Sequence, residues 1–148
     1  MNAEITPALI IEEARSWIGT PYHHQASRKT VGCDCLGLVR GVWRAVIGDE
    51  PEQIAAYSSQ WAEMSADEQL AKAGFRHFDS IEIDAFVPGD LILFRWRSHL
   101  PAKHIAIVSD AQKMIHAQDG VSVCEVPITP WWRRKIAYAF RFRNLTPV

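Results

Sequence analysis

The 148-residue sequence has no apolar run approaching the ~20 residues a helix needs to cross a bilayer, so a membrane-spanning helix is excluded. Charge of one sign is also missing: 16 Lys and Arg against 17 Asp and Glu leave a net charge of -1. No global positive field therefore exists to hold nucleic acid or an anionic membrane. Cysteine is scarce and odd in number, with three residues and no CxxC spacing. That excludes a disulfide framework and argues against a paired-thiol zinc site, so the thiols are expected to be reduced. From Met1 to Trp17 no basic stretch precedes an apolar core, and Glu12, Glu13 and Arg15 interrupt the apolar positions. A signal peptide is not expected there, which predicts synthesis in the cytoplasm. Repeats, low-complexity tracts and linkers are absent as well. With 48% apolar residues the chain can fill one core, so residues 1–148 are read as one domain.

What is present falls into two halves. Leu9, Ile10, Ala14, Trp17 and Ile18 recur at helical spacing between Thr6 and Gly19, with Pro7 suited to a first turn. After a polar loop, Cys35, Leu38, Val39, Val42, Trp43 and Val46 mark a second helix that opens at Cys35. Asp34 is suited to cap it, since a carboxylate there accepts an orphan backbone N–H and meets the positive end of the helix dipole. Asp49 to Ala73 is polar and helix-prone, and residues 49–74 are read as a helical insertion. From Phe75 the pattern turns to short β-rich runs: Asp90–Trp96, Lys103–Ser109, Lys113–Ala117, Val121–Val126 and Ile136–Arg143. Helices first and strands afterward predict an α+β domain, with helices packed on a five- to six-stranded antiparallel sheet.

A thiol becomes a nucleophile as thiolate, and a helix N-terminus favours that charge. Cys35 has this position, although a free cysteine is equally well a small core residue. Strand alternation in His104-Ile105-Ala106-Ile107-Val108 puts His104, Ala106 and Val108 on one face. A hairpin turning through Ser109 to Ala111 would set Val108 opposite Gln112 and His116 opposite His104. One imidazole could then hold the other, leaving the second nitrogen of His104 to take a proton from Cys35. The plain alternative is two polar residues satisfied on a sheet. His23, His24, His77 and His99 have no comparable setting and are read as surface or loop residues.

Five blocks carry a resemblance: Gly19-Thr20-Pro21-Tyr22, Gly32-Cys33-Asp34-Cys35-Leu36-Gly37-Leu38, Pro88-Gly89-Asp90-Leu91, His104-Ile105-Ala106-Ile107 and Met114-Ile115-His116. In this order the sequence resembles the NlpC-type cell-wall endopeptidases, papain-like cysteine peptidases of bacteria and their phages. The resemblance implies a reduced papain-like fold with Cys35 as nucleophile, His104 as base and His116 as the residue that orients it. It also places Tyr22 and Asp34 on the substrate and oxyanion side, where the Tyr22 hydroxyl would act beside the backbone N–H of Cys35. The substrate implied is a peptidoglycan stem peptide, cut between D-γ-glutamate and diaminopimelate, and no cofactor or metal is called for. Leu36, where many members have serine, and the additional Cys33 depart from the common pattern. The stretch around Cys35 is closer to the branch found in phage tails and gene-transfer agents, which implies tail-tip proteins as partners and delivery to the wall with a tail.

Two other readings stand beside this one. The fold could serve as a structural tail-tip component with little turnover, docking through Trp131-Trp132-Arg133-Arg134-Lys135, a stretch otherwise read as a strand edge with solvated charges. Cys33, Cys35, Cys124 and a histidine could instead bind zinc, although the usual ligand spacing is missing. Cys33 itself is read most simply as a packed loop residue.

Overall fold

A computed structural model describes residues 4–52 and 68–146. Helix α1 (Pro7–Arg15) begins where Thr6 Oγ1 accepts from the Leu9 N–H at 3.1 Å, with Pro7 in the first turn. It ends sooner than the periodicity predicts, with Gly19 at φ 93° past the last turn. A two-stranded ribbon, β1 (Ser27–Arg28) and β2 (Gly32–Cys33), follows and leads straight into α2 (Cys35–Val46). Asp34 is the cap of α2, its Oδ1 accepting from the Gly37 N–H at 2.7 Å. Of the expected insertion at 49–74, residues 53–67 lie outside the described residues. Helix α3 (Gln69–His77) then runs past Phe75, where strand character was expected to begin. Tertiary packing overrides the local pattern: Gly74 lies against the Phe140 ring, and Phe75 meets Phe140 edge-on at 5.1 Å.

The strands β3 (Asp79–Ile81), β4 (Leu91–Phe94), β5 (His104–Asp110), β6 (Lys113–Gln118), β7 (Val121–Pro127) and β8 (Ile136–Arg141) form one six-stranded antiparallel sheet. Its order is β3-β8-β4-β5-β6-β7. The expected α+β architecture is therefore the observed one, with β3 an added edge strand. Ile105, Ile107, Ile115 and Phe140 pack with Ile10, Leu38 and Val42 from the helices. Ile92, Phe94, Ala106, Val108, Met114 and Ala139 form a second cluster on the other face, closed by Ile128 and Trp132. Burial of both faces is why the central strands read as nearly unbroken apolar runs. Trp132 belongs to helix α4 (Pro130–Lys135), which replaces the expected strand edge. Thr129 caps it and Pro130 opens it, a Thr-Pro start signal visible in the sequence.

The β5–β6 hairpin corrects the predicted register. Val108 pairs with Met114 and Asp110 with Lys113, so the turn is Ala111–Gln112 and Ser109 is the extra residue of a bulge. Asp110 Oδ1 accepts from the Gln112 N–H at 2.8 Å, which tightens the turn without glycine. Continued, this pairing sets His116 opposite Ala106, one diagonal step from His104. A shift of two residues keeps every side chain on its face, so the two histidines still share one.

Gly37 leaves no room for a side chain, because a β-carbon there would run into the Ala26 carbonyl oxygen. Gly37→Ala should therefore lower the urea unfolding free energy by about 1–3 kcal/mol, the usual range for overpacking. An unchanged midpoint and slope would show that the α2 start tolerates displacement from the ribbon.

Candidate active site

Cys35 opens α2 and is partly buried. Its position is fixed by Asp34, which is buried and holds two separate backbone segments. Besides capping Gly37, its Oδ2 accepts from the Gln25 N–H at 2.7 Å, and Gln25 carries a left-handed φ of 64°. A residue other than glycine in that region is strained and persists where its surroundings hold it. The Asp34 carboxylate thus ties the loop to the helix mouth. His24, an exposed turn residue in keeping with its sequence reading, has Nδ1 3.9 Å from the same Oδ2 and lines the cleft.

His104 begins β5, and its ring is 5% exposed. Its Nε2 lies 2.8 Å from Nδ1 of His116, itself 3% exposed. The sequence thus pairs the correct two histidines, and the bond leaves Nδ1 of His104 unengaged by His116. Three aromatic rings enclose the pair. Trp96 and Trp132 lie nearly parallel to His104 at centroid distances of 5.6 and 5.7 Å, and Phe94 lies at 5.7 Å. Trp132 also meets His116 edge-on at 5.4 Å. Sequence reasoning gave Trp96 and Trp132 no part in the site. They lie in a loop and in an unexpected helix, and only the tertiary fold brings them to the histidines.

Cys35 and His104 converge on one cleft of about 340 Å³ at the start of β5. The sulfur approaches from the helix side, where Sγ is 3.9 Å from the carbonyl of Lys103, the residue before His104. Backbone N–H groups of Ile105, Leu36 and Cys35 itself favour its thiolate. Burial, aided by the Asp34 charge, nevertheless pushes the thiol up to about 12. Burial also holds His104 down to about 3, with His116 and Lys103 adding to the effect, and holds His116 down to about 4. The pair therefore rests as thiol and neutral imidazole. Tyr22 lines the same cleft from the segment bridged to Cys33. Burial raises its phenol above the ordinary value and keeps it protonated. Gln118 and Asp119 complete the cleft wall. Cys33 is fully buried in the core, and burial raises its thiol to about 12, as suits a packed residue. Among the described residues, no three His, Cys, Asp or Glu side chains converge as metal ligands do.

A helix-borne thiol and a paired imidazole beside an antiparallel sheet make up the reduced papain-like arrangement. The chain belongs to the NlpC/P60 family, whose model matches residues 19–141. It is 28% identical over 138 residues to the gamma-DL-glutamyl hydrolase of Bacillus subtilis strain 168. That match covers 93% of this chain and 30% of the relative, so the chain corresponds to under a third of that protein. Among solved structures it is similar to the NlpC/p60 domain of the peptidoglycan hydrolase SagA. There the TM-score is 0.65 at 25% identity, over 93% of this chain and 100% of that one. An NlpC/P60 family protein from Bacillus cereus ATCC 10987 shares the fold with a TM-score of 0.69 at 21% identity, over 95% of this chain and 41% of that one.

The two buried neutral histidines give stability a defined pH dependence. Their folded values lie below the unfolded value of 6.5, so the unfolded chain binds more protons as pH falls below that value. Stability is complete above pH 6.5 and declines on acidification, by up to about 1.4 kcal/mol per pH unit for each histidine. Urea unfolding between pH 7 and 5 should show this slope, and His116→Gln should reduce it by about half. An unchanging midpoint across that interval would contradict neutral burial.

Proposed function

We propose that this protein is a cysteine endopeptidase that hydrolyses peptidoglycan stem peptides. The observation that carries the reading is the convergence of Cys35 and His104 on one cleft, with His104 Nε2 bonded to His116 behind it. For Nδ1 of His104 to act as base it must be unprotonated, so the ring proton sits on Nε2 and is donated to Nδ1 of His116. Because thiol and imidazole rest neutral, proton transfer accompanies attack. As Sγ bonds to the scissile carbonyl carbon, its proton passes to Nδ1 of His104. The imidazolium then gives that proton to the leaving amine as the C–N bond breaks. Water, deprotonated by His104, hydrolyses the thioester and restores the thiol.

The flanking groups have matching roles. The backbone N–H of Cys35 and the protonated Tyr22 hydroxyl serve the oxyanion, and Asp34 keeps the helix mouth in place. Trp96 and Trp132 exclude water from the histidines, and their faces favour the imidazolium when it forms. The bond proposed is D-γ-glutamyl to diaminopimelate, supported by the similarity to the gamma-DL-glutamyl hydrolase of Bacillus subtilis. Association with a phage-like tail, which would carry the protein from the cytoplasm to the wall, is part of the same proposal. It rests on the sequence around Cys35. A structural tail-tip role without turnover is the competing outcome.

Incubation with purified peptidoglycan, with fragments identified by mass spectrometry, should release products ending in D-γ-glutamate, and Cys35→Ala and His104→Ala should release none above background. Products of another bond would overturn the specificity, and cleavage by Cys35→Ala equal to the parent would overturn the mechanism. His116→Ala should reduce kcat about 10- to 1,000-fold with little change in KM, since an orienting residue acts on the transition state. His116→Asn should recover part of that loss by keeping an acceptor for the Nε2 proton. A raised KM with kcat intact would assign His116 to substrate binding instead.

A further inference from the structure

Beyond Trp96 the catalytic cleft adjoins a second, open cavity of about 400 Å³, lined by Arg95, Arg97, Arg134 and Lys135. Trp96 lines both. Arg95 is occupied with Glu68 and with the Leu100 carbonyl. The other three cations differ. Lys135 Nζ donates to the Trp96 carbonyl at 2.8 Å and lies 5.5 Å from the Trp131 ring centre, and among the described residues no carboxylate pairs with it. No carboxylate of the described residues pairs with Arg97 or Arg134. Most arginines of this chain do hold a carboxylate, as Arg15 holds Glu125 and Arg141 holds Asp90. Three cations around one cavity, without a carboxylate partner among the described residues, repel one another and create a local positive potential in a chain whose net charge is -1. An anion between them removes the repulsion, and two guanidinium groups suit the planar, forked geometry of a carboxylate.

We propose that the Arg97, Arg134 and Lys135 cavity is a carboxylate-binding subsite continuous with the catalytic cleft. It takes a free carboxylate of the same peptide whose scissile bond lies at Cys35. The inference rests on the peptidase reading for the identity of the peptide, whereas the preference for an anion rests on the cavity alone. A carboxylate seated beyond Trp96 fixes how far the peptide extends from the nucleophile, so the subsite sets the register of cleavage. It also discriminates wall peptides whose carboxylates are free from those carrying primary carboxamides, which are isosteric but uncharged.

Two matched soluble muropeptides, one with free carboxylates and one fully amidated, test this. Binding is measured by calorimetry on the Cys35→Ala protein and cleavage on the parent. The acid form should bind about tenfold or more tightly than the amide, the scale of one charge-assisted contact. Arg97→Ala with Arg134→Ala should abolish that preference while leaving affinity for the amide unchanged, and Arg97→Lys with Arg134→Lys should restore part of it. In turnover the double alanine variant should raise KM for the acid form about tenfold with kcat retained. Equal affinity of the double variant and its parent for the acid form would overturn the subsite, whatever the turnover result. Arginine-dependent binding with no cleavage of either peptide would uphold the subsite and remove the peptidase reading.

Discussion

The Asp34 carboxylate is the constraint on which the site depends. One oxygen ends the orphan N–H of Gly37 and the other holds Gln25 in its strained conformation. Both bonds are charge-assisted, the Gly37 bond buried and the Gln25 bond partly so, where such bonds are strong and costly to break. Together they fix the mouth of α2 against the preceding loop, and the sulfur of Cys35 takes its place from that junction. Gly37 and the Ala26 carbonyl pack so closely there that the junction has no slack. The side chain next to Cys35 thus acts mainly through the backbone.

The histidine side of the cleft follows a different logic. Two imidazoles are withdrawn from water beneath Trp96, Trp132 and Phe94. The second histidine offers an acceptor without a formal charge, and burial holds His104 unprotonated at rest. The outcome is a neutral imidazole in the same cleft as a neutral thiol. In the proposed reaction the ion pair is created by substrate, when the developing oxyanion and the aromatic faces compensate the charges that burial disfavours.

Local signals made much of this legible in the sequence. A carboxylate before an amphipathic period identified the start of α2 and the place of Cys35, and strand alternation put His104 and His116 on one face. The hairpin turn was read one residue too long, because Asp110 supplies with its side chain what glycine supplies in commoner turns. The error was harmless since the Ser109 bulge makes the total register change two residues, which leaves every side chain on its face. What the sequence could not show was long-range. Phe75 stays helical because Phe140 receives it, while Trp96 and Trp132 reach His104 only once the sheet and α4 are assembled. The fold class rests on periodicity, which a single sequence displays. The walls of the site rest on contacts between distant segments, which it does not.

The central claim is that the sulfur of Cys35 and the imidazole of His104 act as one proton-transfer unit. The most direct measurement is the rate at which a small thiol-directed reagent alkylates Cys35 between pH 5 and 10, in the parent and in His104→Ala, with Cys33 and Cys124 replaced by serine in both. The account predicts faster alkylation of the parent near neutral pH, with the rate in His104→Ala rising only at alkaline pH as an isolated buried thiol would. Superimposable profiles would contradict it.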